Sequence, residues 1–400
     1  MPSGDRPLRV LTVTHNYPRF SGDPAGAFVA RIAEGVAARG HEVRVLAPHA
    51  PGLRRDEAIG GVAVHRFRYA PDSFERVAYT GGLHQGTLRS PWAALGFPGF
   101  LLGFNSAVQR EARRFSPDVV HAHWWIPSGW FVSRASVPFL VTCHGSDVRL
   151  LEQGALIRSM AGRVLGRAAR VTTVSRFLAE DLRGRLPGLT TPVVVTPMPV
   201  DVASFVAGEK QLKAVPPRIL YAGNLVPSKG VDLLLRAAAA LRSRGVEFEL
   251  KILGEGPAQE MLRSLAGQLR LGPRLIWGSF VPQSQMPEEY GASTITVLPS
   301  RGSAEGLGLT LVEALLAGSA VIGTPAGGIP EVVRHEETGL LSRPDDPADL
   351  AQQIERLLSD IPLRERLTRA GKEQVFRTYS PEAAIGRFFE LYHAAAEHRS

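Results

Sequence analysis

The 400-residue sequence predicts two doubly wound α/β domains, and three observations carry that expectation. Short runs rich in Val, Leu and Ile alternate with helical patterns, and near-continuous apolar strands of this kind belong to parallel sheets covered on both faces. The alternation starts afresh in the second half. Between the two series lies a proline-punctuated stretch around residues 200–216, with Pro192, Pro197, Pro199, Pro216 and Pro217 in or beside it. The expected organisation is a first domain over 1–200, a linker over 201–217, a second domain over 218–380, and a last helix over 381–397.

Each element follows from a local pattern. "LRVLTVT" (8–14) is the first strand. "AFVARIAEGVAARG" (27–40) sets Phe28, Ile32 and Val36 at helical spacing before Gly40 ends the helix. "HEVRVLAP", "DVVHAHW", "FLVTCHG" and "RVTTVS" supply further strands. The second series is "RILYAGN", "EFELKILG", "RLIWGSF", "ITVLPS" and "AVIGT". In such folds ligands gather at the carboxyl ends of the strands, so the expected site is a cleft between two facing domains.

Composition narrows the class. The chain is 44% hydrophobic and 21% charged, without repeats or low-complexity tracts. Its one cysteine, Cys143, excludes an intrachain disulfide and suits a reducing compartment. The opening "MPSGDRPLRV" lacks the pattern of a secretion signal. No run approaches the about 20 apolar residues that a membrane span needs. A cytoplasmic location, with contact at the inner face of the membrane, is the expectation. "PWAALGFPGFLLGF" (91–104) reads as a buried helix kinked at Pro98, with an interfacial patch near a lipid acceptor as the alternative. Residues 1–200 hold 24 Arg, no Lys and 14 Asp+Glu, or +10; residues 201–400 hold 22 Lys+Arg and 24 Asp+Glu, or −2. A basic first half suits an anionic membrane or phosphorylated substrate, and suits equally a chain that simply favours surface arginine. The arginines are scattered, without interleaved aromatics, which argues against nucleic acid.

Two strand ends carry chemistry. In "YAGNLVPSKGVD" (221–232), Lys229 and Gly230 open a helix, where free amides and the helix dipole favour an anion. P-loop spacing is absent, and the motif alone fits a solvated lysine as well. In "EGLGLTLVEALLAG" (305–318) a helix runs from near Leu309 to Gly318, with Gly306 and Gly308 giving access to backbone amides. Glu313, taken in its first turn, can accept bonds from a ribose, and Glu305 can face sugar hydroxyls or a cation. Two helix-start acids without a ligand remain the alternative.

Together these stretches resemble glycosyltransferase family 4, the retaining enzymes of GT-B fold, over nearly the whole chain. The likeness rests on "GNLVPSKG", "GEGP" (254–257), "EGLGLTLVEALLAG" and "GGIPEVV" (327–333), with "HAHW", "TCHGSD" and "TVSRF" in the first half. It implies two Rossmann-like domains and a C-terminal helix that crosses back to the first. It also implies a nucleotide-sugar donor with a UDP or GDP base, and a sugar or lipid-linked sugar as acceptor in surface polysaccharide or glycolipid synthesis. By the same resemblance Glu313 binds the donor ribose, Glu305 contacts the donor sugar, and Gly306, Leu307 and Gly308 offer amides to sugar and phosphate. Lys229 holds the diphosphate, His144 lies at the reacting sugar, His123 is on the acceptor side, and the loop around Gly26 closes over the diphosphate.

Two departures from the family pattern stand out. Asn224 occupies a position where relatives commonly carry Arg, and four residues, Arg301 to Ala304, precede Glu305, more than relatives usually have. Arg301 is therefore the expected replacement cation. His121, His123 and His144 can be drawn as a zinc triad, but no fourth ligand or general base accompanies them. No Asp-x-Asp motif is present, so no cofactor and no metal are expected. Two other readings stay open: a nucleotide-sugar epimerase on the same scaffold, and a catalytically inactive donor-binding protein.

Overall fold

The computed structural model describes residues 6–20, 22–23, 25–75, 77–79, 91–303 and 305–397, without the side chains of 91–95. The first five residues of the opening segment, Ala304 of the extended loop, and the side chains of Trp92 to Leu95 lie outside the described part. The chain divides into two compact units. Unit 1 comprises Met1–Val174, Leu178–Pro199 and Pro381–Ser400; unit 2 comprises Ser175–Phe177 and Val200–Ser380.

Unit 1 is built on eight strands: β1 (Arg9–Val13), β2 (Glu42–Pro48), β3 (Asp56–Ile59), β4 (Val62–Phe67), β5 (Val119–His123), β6 (Phe139–Cys143), β7 (Arg170–Thr173) and β8 (Val193–Val195). Their order is β3-β4-β2-β1-β5-β6-β7-β8, parallel except for the β3–β4 pair. The strand order reverses beside β1, which pairs with β2 on one side and β5 on the other, and a crevice opens at such a reversal. Every residue of β5 and β6 is buried, which explains why both read as unbroken apolar runs apart from their histidines and Thr142. The helix Pro91–Phe115 runs through Pro98, with Phe100 and Phe104 fully buried and Leu102 71% exposed. The last helix, Pro381–Ala396, belongs to unit 1, where Phe388 and Tyr392 are buried beside β5.

Unit 2 carries β9 (Arg218–Ala222), β10 (Glu249–Leu253), β11 (Leu275–Gly278), β12 (Ile295–Leu298), β13 (Ala320–Gly323) and β14 (Leu340–Leu341). The order β11-β10-β9-β12-β13-β14 is parallel throughout, with its reversal between β9 and β12. The helix Leu309–Leu316 buries Leu311, Val312, Ala314, Leu315 and Leu316. Seven of its eight residues are apolar or Thr, so Glu313 is the one ionisable group on a core helix and needs compensating partners.

Candidate functional site

In unit 2 the carboxyl ends of β9 and β12 bring the motif loops together. After β9, Asn224 is exposed, and its carbonyl accepts a 2.9 Å bond from the Tyr221 hydroxyl. The turn Pro227–Lys229 follows and leads into the helix Val231–Ser243. After β12, Pro299 and Ser300 turn into the loop that carries Glu305. Lys229 Nζ forms an ion pair with Glu305, and Ser300 Oγ donates to the same carboxylate oxygen at 2.7 Å. Glu305 is only 7% exposed, so this pairing offsets its desolvation. Burial, and then the negative charge of Glu305, push the Tyr221 hydroxyl above its ordinary range, so it stays a neutral donor.

Two glycine motifs buttress these loops. A side chain at Gly327 would lie 1.9 Å from the Glu305 carbonyl, and one at Gly254 would lie 2.0 Å from the Gly223 carbonyl. "GGIP" and "GEGP" are therefore close-packing points that fix where Glu305 and Asn224 emerge. Gly328 N donates to the Glu305 carbonyl at 3.0 Å, which holds the loop from the same side. Leu307 is buried at 4% exposure, and Gly308 (φ 86°) immediately precedes the helix. That helix starts at Leu309, so Glu313 sits in its second turn, not its first as the sequence reading had it. Its carboxylate accepts from Gln283 Nε2 at 2.8 Å and from the Tyr290 hydroxyl at 3.2 Å. Burial, followed by the Glu313 charge, pushes Tyr290 well up and keeps it protonated.

Arg301 makes a two-pronged contact with Asp232, at 2.7 and 2.8 Å, and reaches Asp345 at 2.5 Å. Nη1 also donates to the Pro227 carbonyl at 3.0 Å, and the Arg301 backbone N–H to Ser228 at 2.8 Å. Arg301 thus clamps the turn that presents Lys229, with two carboxylates against its one charge. Asp232 closes the marked stretch 221–232 but had no role in the sequence reading, while Asp345, Gln283 and Tyr290 lie outside every marked stretch.

In unit 1 the ends of β1, β5 and β6 gather a second group. His123 Nδ1 lies 3.1 Å from His144 Nε2, one ring donating and the other accepting. His123 Nε2 is buried without a partner among the described residues, as is His15 Nδ1. The Trp124 ring packs at a tilt, its centroid 4.3 Å from that of His15 and 4.4 Å from that of His144, and its Nε1 donates to Ser146. Its backbone lies at φ 66°, a conformation rare for a bulky residue. Burial, and then the neighbouring histidines, hold His144 and His123 well below the ordinary imidazole range, so both are neutral at pH 7. Asp147 of "HGSD" accepts from the backbone N–H groups of His144 and Gly145, at 3.0 and 3.1 Å, and so shapes the turn behind His144. His121 has both nitrogens engaged, with Tyr392 at 2.7 Å and Thr142 at 2.6 Å, which leaves none for a metal. Gly26 takes a left-handed conformation at the head of Ala27–Ala37, its Cα packed against the Asn16 carbonyl. His15 and Trp124 are the neighbours the sequence reading missed; the aromatic after "HAH" was the available signal.

Comparison with known proteins bears directly on this geometry. The model of glycosyl transferases group 1 matches residues 207–374, and that of the glycosyl transferase 4-like domain matches 25–199. D-inositol 3-phosphate glycosyltransferase of Acidothermus cellulolyticus is 30% identical, over 95% of this chain and 88% of its own length. The chain belongs to glycosyltransferase family 4. Its relatives include 2-deoxystreptamine glucosyltransferase of Streptomyces kanamyceticus, 27% identical over 90% of this glycosyltransferase and 95% of that protein. In fold the glycosyltransferase matches sucrose-phosphate synthase of Thermosynechococcus elongatus, with TM-score 0.77, 20% identity, and 96% and 98% of the two chains covered. It also matches Anabaena HepE in complex with UDP-glucose, with TM-score 0.70, 17% identity, and 97% and 100% covered. Both units are thus those of a GT-B glycosyltransferase.

Proposed function

We propose that this glycosyltransferase transfers a sugar from a nucleoside diphosphate, with UDP or GDP as carrier, to a hydroxyl, with retention at the anomeric carbon. The observation that carries the reading is the Lys229–Glu305 pair beside the amides that open the helix Leu309–Leu316. When the donor binds, its diphosphate takes Lys229 and those amides, and Glu305 is released to accept from sugar hydroxyls. Glu313 receives the ribose hydroxyls, with Tyr290 and Gln283 holding its carboxylate in place. The bond from C1 to the phosphate oxygen breaks as the acceptor oxygen bonds to C1 on the same face. The acceptor proton passes to the departing phosphate, so no side chain serves as a covalent nucleophile. His144 and His123, both neutral, orient hydroxyls on the unit 1 side, and the Gly26 loop contributes there as well. Arg301 acts on the diphosphate through the turn it clamps. A surface polysaccharide or glycolipid is the proposed setting.

The test is a mass-spectrometric screen of nucleotide-sugars for slow hydrolysis by the full chain. Release of free sugar from one UDP- or GDP-sugar, in the anomeric form of the donor, supports the reading. Isomerised donor without release would speak for an epimerase instead. Binding without any turnover would leave a donor-binding protein, a reading that Asn224 favours because it contributes no charge where relatives carry Arg.

A further inference from the structure

The stretch "TVSRF" (173–177) contributes to the family likeness, yet no step of the proposed mechanism uses it. Ser175 to Phe177 belong to unit 2, and Ser175 is fully buried. Its Oγ donates to the Gly306 carbonyl at 2.6 Å. The next two backbone N–H groups, of Arg176 and Phe177, both donate to the Glu331 carboxylate at 2.9 Å. Glu331 comes from "GGIPEVV" and is held in turn by Gln374, whose Nε2 donates to the carbonyls of Glu331 at 3.2 Å and Val332 at 3.1 Å. A connected series of hydrogen bonds thus runs from Gln374 through Glu331 and Ser175 to the loop after Glu305.

The last of these bonds fixes a direction. The Gly306 carbonyl and the Leu307 N–H belong to one planar trans peptide, so they point opposite ways. Gly306 has no side chain to hold that peptide, and a reversed peptide would put a carbonyl oxygen where the N–H now points. The preceding carbonyl, of Glu305, is taken in the same manner by Gly328 N at 3.0 Å. A side chain at Gly328 would lie 2.4 Å from the Gly306 carbonyl oxygen, so backbone closes this side of the loop. Neither the Gly306 nor the Leu307 N–H has a hydrogen-bond partner among the described residues. We propose that Ser175 is a positioning residue for donor binding: it holds the Gly306–Leu307 peptide so that the Leu307 N–H meets the phosphate bonded to the sugar. The inference rests on the proposed function, in which Glu305 takes the sugar and Glu313 the ribose. Amides next to Glu305 then meet the phosphate next to the sugar. A neutral hydroxyl suits this task, since it orients the amide without adding a charge that would compete for the phosphate.

Calorimetry on the full chain tests it, with UDP and GDP against UMP and GMP. Ser175→Ala should weaken the diphosphate that wild type binds about three- to tenfold, the worth of one neutral hydrogen bond, and leave the matching monophosphate unchanged. Glu331→Ala should show the same selective loss, and joining it to Ser175→Ala should add little, because both act through one peptide. Glu331 is half-buried, so its variant reads that peptide without altering the packing around Ser175. Equal loss of monophosphate and diphosphate binding would make Ser175 a structural contact alone and overturn the proposal. Diphosphate binding equal to wild type in both variants would overturn it too. If Lys229→Ala weakens the diphosphate in that case, the proposed function stands and only the role of Ser175 falls. A wild type that binds neither UDP nor GDP would overturn both.

Discussion

Lys229 and Glu305 are each other's ion-pair partner, with Ser300 adding a 2.7 Å bond to the same carboxylate oxygen. The pair keeps a buried carboxylate and a lysine satisfied. In the proposed mechanism the diphosphate takes Lys229, so binding it breaks this pair at a cost that depends on Glu305 being charged.

The first prediction separates affinity from turnover. Glu305→Gln should leave UDP or GDP affinity equal to wild type or raise it several-fold, because the competitor for Lys229 is gone, while kcat/KM falls about 100-fold for loss of the sugar contact, on the order of 3 kcal/mol. Lys229→Ala should weaken the nucleoside diphosphate by roughly 1.5–3 kcal/mol. Calorimetry and steady-state rates read the two effects. A Glu305→Gln variant that binds nucleoside diphosphate distinctly worse would contradict the exchange.

The carboxylate of Glu313 should recognise the nucleoside and not the phosphates. Glu313→Ala should weaken UDP or GDP by roughly 1.5–3 kcal/mol, the range for hydrogen bonds to a charged group. Inorganic pyrophosphate should bind that variant as it binds wild type. Tyr290→Phe removes one of the bonds that position the carboxylate, and should show a smaller loss of the same kind. If pyrophosphate affinity falls along with that for UDP, Glu313 is not at the ribose.

Much of this was legible because it is written in local runs. The apolar strands, Gly40 ending its helix, and the Leu309 helix start all depend on neighbours within a few residues, and the strand ends then locate the site. Partners supplied by distant segments were not legible. Gln283 and Tyr290 reach Glu313 from 30 and 23 residues away, and Asp232 reaches Arg301 across 69. No periodicity encodes such pairs. The role of "GGIP" and "GEGP" was likewise hidden, since a glycine needed for close packing and one needed for ligand access look alike in sequence. The helix start near Leu309 was read correctly, and Glu313, its fifth residue, falls one residue past the first turn.

Acid should destabilise unit 1 through its buried histidines. Burial lowers His121 from 6.5 to about 3 and His15 to about 4. The folded chain holds these rings neutral, while below pH 6.5 the unfolded chain takes up protons, so stability is intact above 6.5 and falls as pH drops toward 4. Each ring contributes a slope of up to about 1.4 kcal/mol per pH unit. Denaturant titrations between pH 7 and 4.5 should show the decline, and His121→Gln should flatten it. A stability that is level over this interval would refute the assignment.

Turnover should survive chelation. In the proposed mechanism Lys229 and the amides at the head of Leu309–Leu316 hold the leaving diphosphate. The one cluster among the described residues with metal-ligand geometry, His49, Asp72 and Glu75, already has the Arg68 guanidinium beside both carboxylates. Donor hydrolysis in excess EDTA should match the untreated rate. Loss of activity that manganese or magnesium restores would require a different model of the diphosphate site.

Arg301 gives the sharpest test of how the chain manages with Asn224. The sequence made Arg301 a direct replacement cation; its pairing with Asp232 and Asp345 makes it a clamp on the Pro227–Lys229 turn. Both roles predict that Arg301→Ala lowers kcat/KM about 10- to 100-fold, worth roughly 1.5–3 kcal/mol. They part company at Asp232. If Arg301 touches the diphosphate, Asp232→Asn frees its charge and should tighten nucleoside diphosphate binding. If it is a clamp, Asp232→Asn should weaken binding, and adding it to Arg301→Ala should cost little more, because the two side chains act as one unit. The clamp also predicts a lower unfolding temperature for each single variant. Asn224→Arg, by contrast, adds a charge without loosening the turn, and should tighten nucleoside diphosphate binding in wild type and in Arg301→Ala alike. Tighter binding in Asp232→Asn would return Arg301 to the diphosphate; weaker binding with a strongly non-additive double variant leaves it as the residue that positions Lys229.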